Sequence, residues 1–160
     1  MAATAQMTTV VIQEARARDT VGSFSQMPDA AATTAPSSDS AEAALAFLTE
    51  MSPDLRGAAV LGPTGEVLAA TGEERERWAD DAATLFAAAD AAEETAVEQV
   101  HIATEQGEVF AVRNAGLAAI TVTDRFALAS LMHFDMRSTL RRLASTGFGP
   151  PEGPQPRSGG

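Results

Sequence analysis

VEQVHIATEQGEVFAVRNAGLAAITVT, residues 97–123, decides the fold. Three apolar runs, 97–105, 108–113 and 117–123, are separated by Gln106-Gly107 and by Asn114-Ala115-Gly116. Glycine at such spacing supplies the backbone conformations of tight hairpin turns, so the stretch predicts a three-stranded antiparallel meander. Alternation in the first run sets His101 on the face opposite Val100 and Ile102.

Upstream, RGAAVL (56–61) and EVLAAT (66–71) flank Gly62-Pro63-Thr64-Gly65, in which proline presets a turn dihedral and glycine tolerates positive φ. This predicts a β-hairpin. Helical patterns surround both sheet segments. The first begins at Asp39, three residues before Glu42 as in a capping box, and carries Ala41, Ala44, Leu45, Leu48 and Met51 to the stop at Ser52-Pro53. The second, Glu73 to Ala92, follows Thr71, which stands three residues before Glu74. Trp78, Ala82, Leu85 and Ala89 form one stripe on it, and Ala79, Ala83, Phe86 and Ala87 a second beside it, one for a sheet and one for another helix. The third runs from Asp124 as N-cap to about Ser145, with Ala129, Met132, Met136, Leu140 and Leu143 on one face, Arg137, Arg141 and Arg142 towards its negative end, and Gly147 as C′ residue.

The order α-β-β-α-β-β-β-α predicts an α+β domain in which helices sandwich a five-stranded antiparallel sheet. Its bounds are read as 39–146. Residues 1–38, poor in periodic large apolar side chains, read as a disordered N-terminal tail, with Val10, Val11 and Ile12 an incidental knot within it, in preference to a docking peptide. Residues 147–160, GFGPPEGPQPRSGG, read as a disordered Pro/Gly-rich C-terminal tail.

Composition bounds the chemistry. The 160 residues carry a formal net charge of -11, with every basic charge on arginine, which disfavours a nucleic-acid partner. Cysteine is absent and histidine limited to His101 and His133, so thiol chemistry is excluded and no metal or other cofactor is expected. The N-terminus lacks a secretory pattern and no apolar run suits membrane insertion, so a soluble, cytoplasmic protein is expected. Abundant alanine with arginine in place of lysine fits a GC-rich bacterial genome. Neither histidine has a nucleophile-elbow context, the paired carboxylates Asp80-Asp81 and Glu93-Glu94 read as solvated helix charge, and no phosphate-binding glycine loop occurs. No catalytic residue is expected. Arg75 and Arg77 read as partners of neighbouring Glu and Asp and not as an arginine finger.

The run from Leu45 to Ala144 resembles the roadblock and dynein-light-chain family, in particular bacterial members that work beside Ras-like small GTPases. The likeness is carried by LRGAAVLGPTGEVLAAT (55–71) and GLAAITVTDRFALASLMHFDMRSTLRRLA (116–144). Where the family often has Asn-Leu-Gly at the start of the last helix, this chain has Ala127-Leu128-Ala129. The resemblance implies a dimer, with itself or a paralogue, formed by the middle helix and the strand 97–105, which offers an unpaired edge. Ala79, Ala83, Phe86, Ala87, Val100, His101 and Ile102 are the interface expected from it. It further implies a platform for a small GTPase, on which Arg77, Asp80, Asp81 and Thr84 are the expected contacts. A PAS- or profilin-like sensory domain holding a small ligand is the alternative.

Overall fold

The structure is a computed structural model that describes residues 9–13, as backbone, and 35–145. In chain order the elements are β1 (Thr9–Gln13), α1 (Ser38–Met51), β2 (Leu55–Leu61), β3 (Val67–Ala70), α2 (Arg75–Glu93), β4 (Gln99–Ala103), β5 (Glu108–Asn114), β6 (Leu117–Thr123) and α3 (Ala129–Ala144). From α1 onward this is the α-β-β-α-β-β-β-α order read from the sequence.

Antiparallel pairings arrange the strands as β1-β4-β5-β6-β2-β3. The turns are local and chemical in origin. In the first hairpin Gly62 N–H donates to the Glu66 carbonyl at 2.8 Å, and Gly65 takes φ +83°. Between β5 and β6, Ala115 and Gly116 have φ +53° and +76°, the two consecutive positive values that let a two-residue turn follow the strand twist.

The sheet therefore has a sixth strand beyond the expected five. Thr9–Gln13 lies in the segment read as a tail, and it pairs along the whole of β4, from Thr9 opposite Ala103 to Gln13 opposite Gln99. The expectation that 97–105 forms the sheet edge is overturned with it. An unpaired strand edge presents a row of backbone donors and acceptors, and Val10, Val11 and Ile12 supply β-branched residues suited to fill it. The remaining tail residues, 1–8, 14–34 and 146–160, including Gly147 as a helix terminator, lie outside the described residues.

All three helix starts differ from their sequence readings. Ser37, not Asp39, caps α1: its Oγ accepts the Ser40 N–H at 3.2 Å, and Asp39 falls in the first turn, where a carboxylate favours the positive helix end. Thr71 caps nothing, because its hydroxyl is drawn into the β2–β3 pairing, accepting the Ala58 N–H at 2.9 Å; α2 begins at Arg75 after Glu74. Asp124 is held by its N–H to the Asp54 carbonyl at 2.9 Å and by its carboxylate near Arg56 at 3.6 Å, so α3 starts only after Leu128.

Two hydrophobic layers sandwich the sheet. On one face α1 and α3 bury Leu45, Leu48, Met136, Leu140 and Leu143 against Val60, Phe110 and Val112. On the other, α2 buries Ala82, Phe86 and Ala89 against Ala59, Leu61, Val100, Ala111 and Ile120. Many strand positions are alanine, which lets the helices approach the sheet closely; burial of the larger side chains contributes roughly 1.5–3 kcal/mol each.

Candidate partner-binding surface

The surface singled out by the sequence is the outward side of α2, and the helix phase settles which residues reach it. Ala82, Phe86 and Ala89 point into the sheet, with Trp78, Ala79 and Leu85 half-buried at the flanks. Phe86 thus joins the sheet-facing row and not the outer stripe assigned to it, because its spacing of four from Ala82 keeps it in phase with the core. Ala83, Thr84 and Ala87 are exposed, together with Arg77, Asp80 and Asp81. These six form one side of one helix.

The seven residues expected at a dimer interface divide three ways. Ala83 and Ala87, with Ala79 beside them, lie on or next to the open side of α2. Phe86 and Val100 are 6% and 1% exposed and belong to the core beneath, where Ile102 packs half-buried. His101 sits in the other layer, stacked on Phe110 with ring centroids 4.3 Å apart. β1 covers the outer edge of the strand that carries it.

Electrostatics on α2 are local. Arg77 is drawn to Glu74 at 3.1 Å and to Asp81 at 3.7 Å, and the Arg75 guanidinium donates to the Leu68 carbonyl at 3.4 Å. Arg77 thus pairs with Asp81 as expected and with Glu74, whereas Arg75 reaches a backbone carbonyl of β3 and not a flanking glutamate. Next to them α2, the first hairpin turn and the β5–β6 turn enclose an open groove of about 800 Å3, which Asp80, Ala83 and Ala87 line on the helix side.

At the base of that groove lies a constellation that the sequence does not announce. The Arg113 guanidinium donates to Asp90, lies 4.2 Å above the Phe86 ring and gives its Nε–H to the Val97 carbonyl at 2.8 Å. Asp90 in turn accepts the Val97 N–H at 2.7 Å. The Arg113 hydrogen bond, assisted by that from Val97, holds the Asp90 carboxyl below its usual range. Asp90 and Arg113 are 23 positions apart, so only an acidic residue near a helix end and an arginine inside a strand hinted at it.

Among the described residues no group of three or more His, Cys, Asp and Glu side chains is placed to hold a metal ion, and no helix is long and apolar enough to cross a membrane. His133 is buried in the α3 layer, edge-on to Phe110, with Nε2 3.5 Å from the Val100 carbonyl. Burial, more than its neighbours, lowers its pKa.

No family model and no curated protein matches the chain. Solved structures do. A Roadblock/LC7 domain from Streptomyces avermitilis superposes with a TM-score of 0.56 at 18% identity, over 66% of this chain and 95% of that one. MglB of Myxococcus xanthus gives 0.53 at 10% identity, over 68% and 88%. LokiProfilin1, solved in complex with rabbit actin, gives 0.55 at 16% identity, over 69% and 98%. The chain has the roadblock fold, an architecture it shares with profilin.

Proposed function

We propose that this roadblock-fold chain is a non-catalytic, cytoplasmic regulator that dimerises through the outward side of α2 and presents the paired helices to a Ras-like small GTPase. The observation that carries the reading is the composition of that side. Ala83 and Ala87, exposed one turn apart, allow a second helix to approach closely, and Asp80, Asp81, Thr84 and Arg77 beside them supply polar contacts. A two-fold axis through Ala83 would make the patch self-complementary. The strand 97–105 joins such an interface only where β1 leaves its edge, so helix contact is the primary element.

Regulation on this reading needs differential affinity for the two nucleotide states of the GTPase, and no donated catalytic group. The acidic pair Asp80-Asp81 suits a basic patch on the partner and gives an association that weakens as salt screens exposed charge.

The test combines association kinetics of the purified chain, by surface plasmon resonance, with the Ras-like GTPase encoded nearest to it, loaded with GDP or with a non-hydrolysable GTP analogue, and a hydrolysis assay of the same pair with GTP. Binding that favours one state, slowed by reversing Asp80 and Asp81 to Arg with hydrolysis unaffected by Arg77→Ala, supports the reading. Absence of binding in either state overturns it, and loss of stimulated hydrolysis in Arg77→Ala with binding intact replaces it with a donated arginine.

A further inference from the structure

Among the described residues five large apolar side chains are exposed, and four of them, Phe126, Leu128, Leu131 and Phe134, stand together in sequence. They are 84%, 67%, 52% and 66% exposed, on the link from β6 to α3 and the first turns of that helix. Single exposed apolar residues are ordinary on a protein surface, whereas a cluster of them marks a surface for binding.

Helix phase separates this surface from the core. Met132, Met136, Leu140 and Leu143 are buried, and Leu131, Phe134, Ser138 and Arg141, spaced by three and four, share the opposite side. The stripe is apolar at its start and basic two turns later, with the small Ser138 between, where another backbone can come close. Arg141 is exposed and enters no ion pair among the described residues.

Phe126 continues the apolar end. The Glu108 carboxylate accepts its N–H at 2.6 Å and holds it at φ +69°, and the Arg125 guanidinium lies 4.8 Å from its ring. Large side chains seldom adopt that backbone, and strain of this kind gathers at functional sites. From 124 to 145 the chain carries Arg125, Arg137, Arg141 and Arg142 against Asp124 and Asp135, so the segment is positive in a chain of net charge -11.

We propose that the outer side of α3 docks an amphipathic α-helix of another protein, whose apolar residues cover Phe126, Leu131 and Phe134 and whose carboxylates face Arg141. A linear stripe at helical spacing suits a second helix laid alongside. Its charge selects an acidic partner, and phenylalanine with arginine is the composition enriched at protein interfaces. An anionic bilayer would instead meet repulsion from the chain as a whole. The inference is independent of the GTPase reading: α2 packs on the other face of the sheet, so both partners can be held at once.

The experiment uses the full chain, isotope-labelled, and a designed peptide of about five helical turns. Leucines line one face of half of it and glutamates the same face of the other half, in either chain order; a second set has lysine for each glutamate. Fluorescence anisotropy and backbone NMR shifts are the readouts. Saturable binding of a glutamate peptide is expected, about tenfold or more tighter than its lysine counterpart, with shift changes on 126–142 and none on α2. Leu131→Ser and Phe134→Ser should each weaken it about tenfold, the worth of one buried apolar side chain. Arg141→Glu should reverse the preference to the lysine peptide, which a purely structural role for the arginine would not do. Melting curves establish that each variant is folded. The proposal is overturned by absence of saturable binding, by a charge preference unmoved in Arg141→Glu, or by shift changes centred on α2. It is equally overturned if Leu131→Ser abolishes sedimentation of the chain with phosphatidylglycerol vesicles, which makes a bilayer the occupant, or abolishes its self-association, which makes a second copy the occupant.

Discussion

Arg113 and Asp90 join the sheet to α2: the guanidinium on β5 donates to the carboxylate near the end of the helix, while both grip the backbone of Val97 between them, through its carbonyl and its N–H. The chain leaving α2 is thereby fixed to β5 before it enters β4. Each side chain remains 34% exposed, so water screens the pair, and its worth lies in the Val97 backbone groups it satisfies as much as in its charge.

Asp90→Asn should lower the melting temperature at neutral pH by about 5 °C, equivalent to roughly 1 kcal/mol in a domain of this size. Because the folded-state pKa of Asp90 is depressed, its contribution is complete above the ordinary value of 3.8 and disappears as pH falls through the folded value. Thermal melts of the variant should thus converge on those of the parent in acid.

Glu108 holds Phe126 in the left-handed conformation, φ +69°, that a large side chain seldom adopts. Glu108→Ala removes the acceptor for its N–H and leaves His101 Nε2 without its partner, a cost of about 1–3 kcal/mol. Hydrogen exchange should accelerate first at 124–128, the link between β6 and α3. Unchanged exchange there would mean that the link is held by other contacts.

Ala83→Arg places a long charged side chain at the proposed helix crossing. Since Ala83 is exposed within the protomer, circular dichroism and melting of the monomeric unit should not change. Sedimentation should show the variant as a monomer where the parent is a dimer; a parent that is already monomeric at micromolar concentration removes the basis for the interface.

A methyl group at Gly107 would stand 2.5 Å from the backbone carbonyl oxygen of Thr123. Backbone cannot yield as a flexible side chain can, so Gly107→Ala should destabilise by roughly 1–3 kcal/mol, as overpacking does. Chemical denaturation with an unchanged m-value is the check.

Deleting residues 1–14 strips β1 and uncovers the edge of β4. The shortened chain should keep its secondary structure, melt a few degrees lower and self-associate more strongly by light scattering, because an unpaired edge recruits another strand. Equal melting and equal dispersity would show that β1 adds nothing to the sheet. Removing 147–160 should leave the melting temperature where it was.

The hairpin and the meander could be read directly because the proline and glycines of Gly62-Pro63-Thr64-Gly65 and the glycine after Asn114-Ala115 carry turn preferences in the local sequence itself. β1 could not, since five β-branched and polar residues become a strand here only through a partner strand about ninety positions away. Helix starts were misread for a related reason. Thr71 and Asp124 have capping chemistry, yet Ala58 on β2 engages the first, Asp54 in the turn before β2 and Arg56 on it engage the second, and that competition has no local trace. On α2 the outward placement of Ala83 and Ala87 follows from period alone, as does the position of His101 on the opposite face. What His101 meets there, Glu108 and the wall of α3, depends on how the sheet pairs and how α3 crosses it.

Trp78 packs where α2 leaves the sheet, close enough to Gly57 that a Cβ there would come within 3.1 Å of its ring, and its indole N–H reaches the Thr71 carbonyl at 3.3 Å. The chain has no other tryptophan and no tyrosine. Its near-ultraviolet absorbance and emission therefore arise almost wholly from one fluorophore seated at the seam between α2 and β2. The protein carries an intrinsic optical reporter: a ligand that lifts this helix end will redden and dim the emission, and one that settles elsewhere will leave the spectrum as it was.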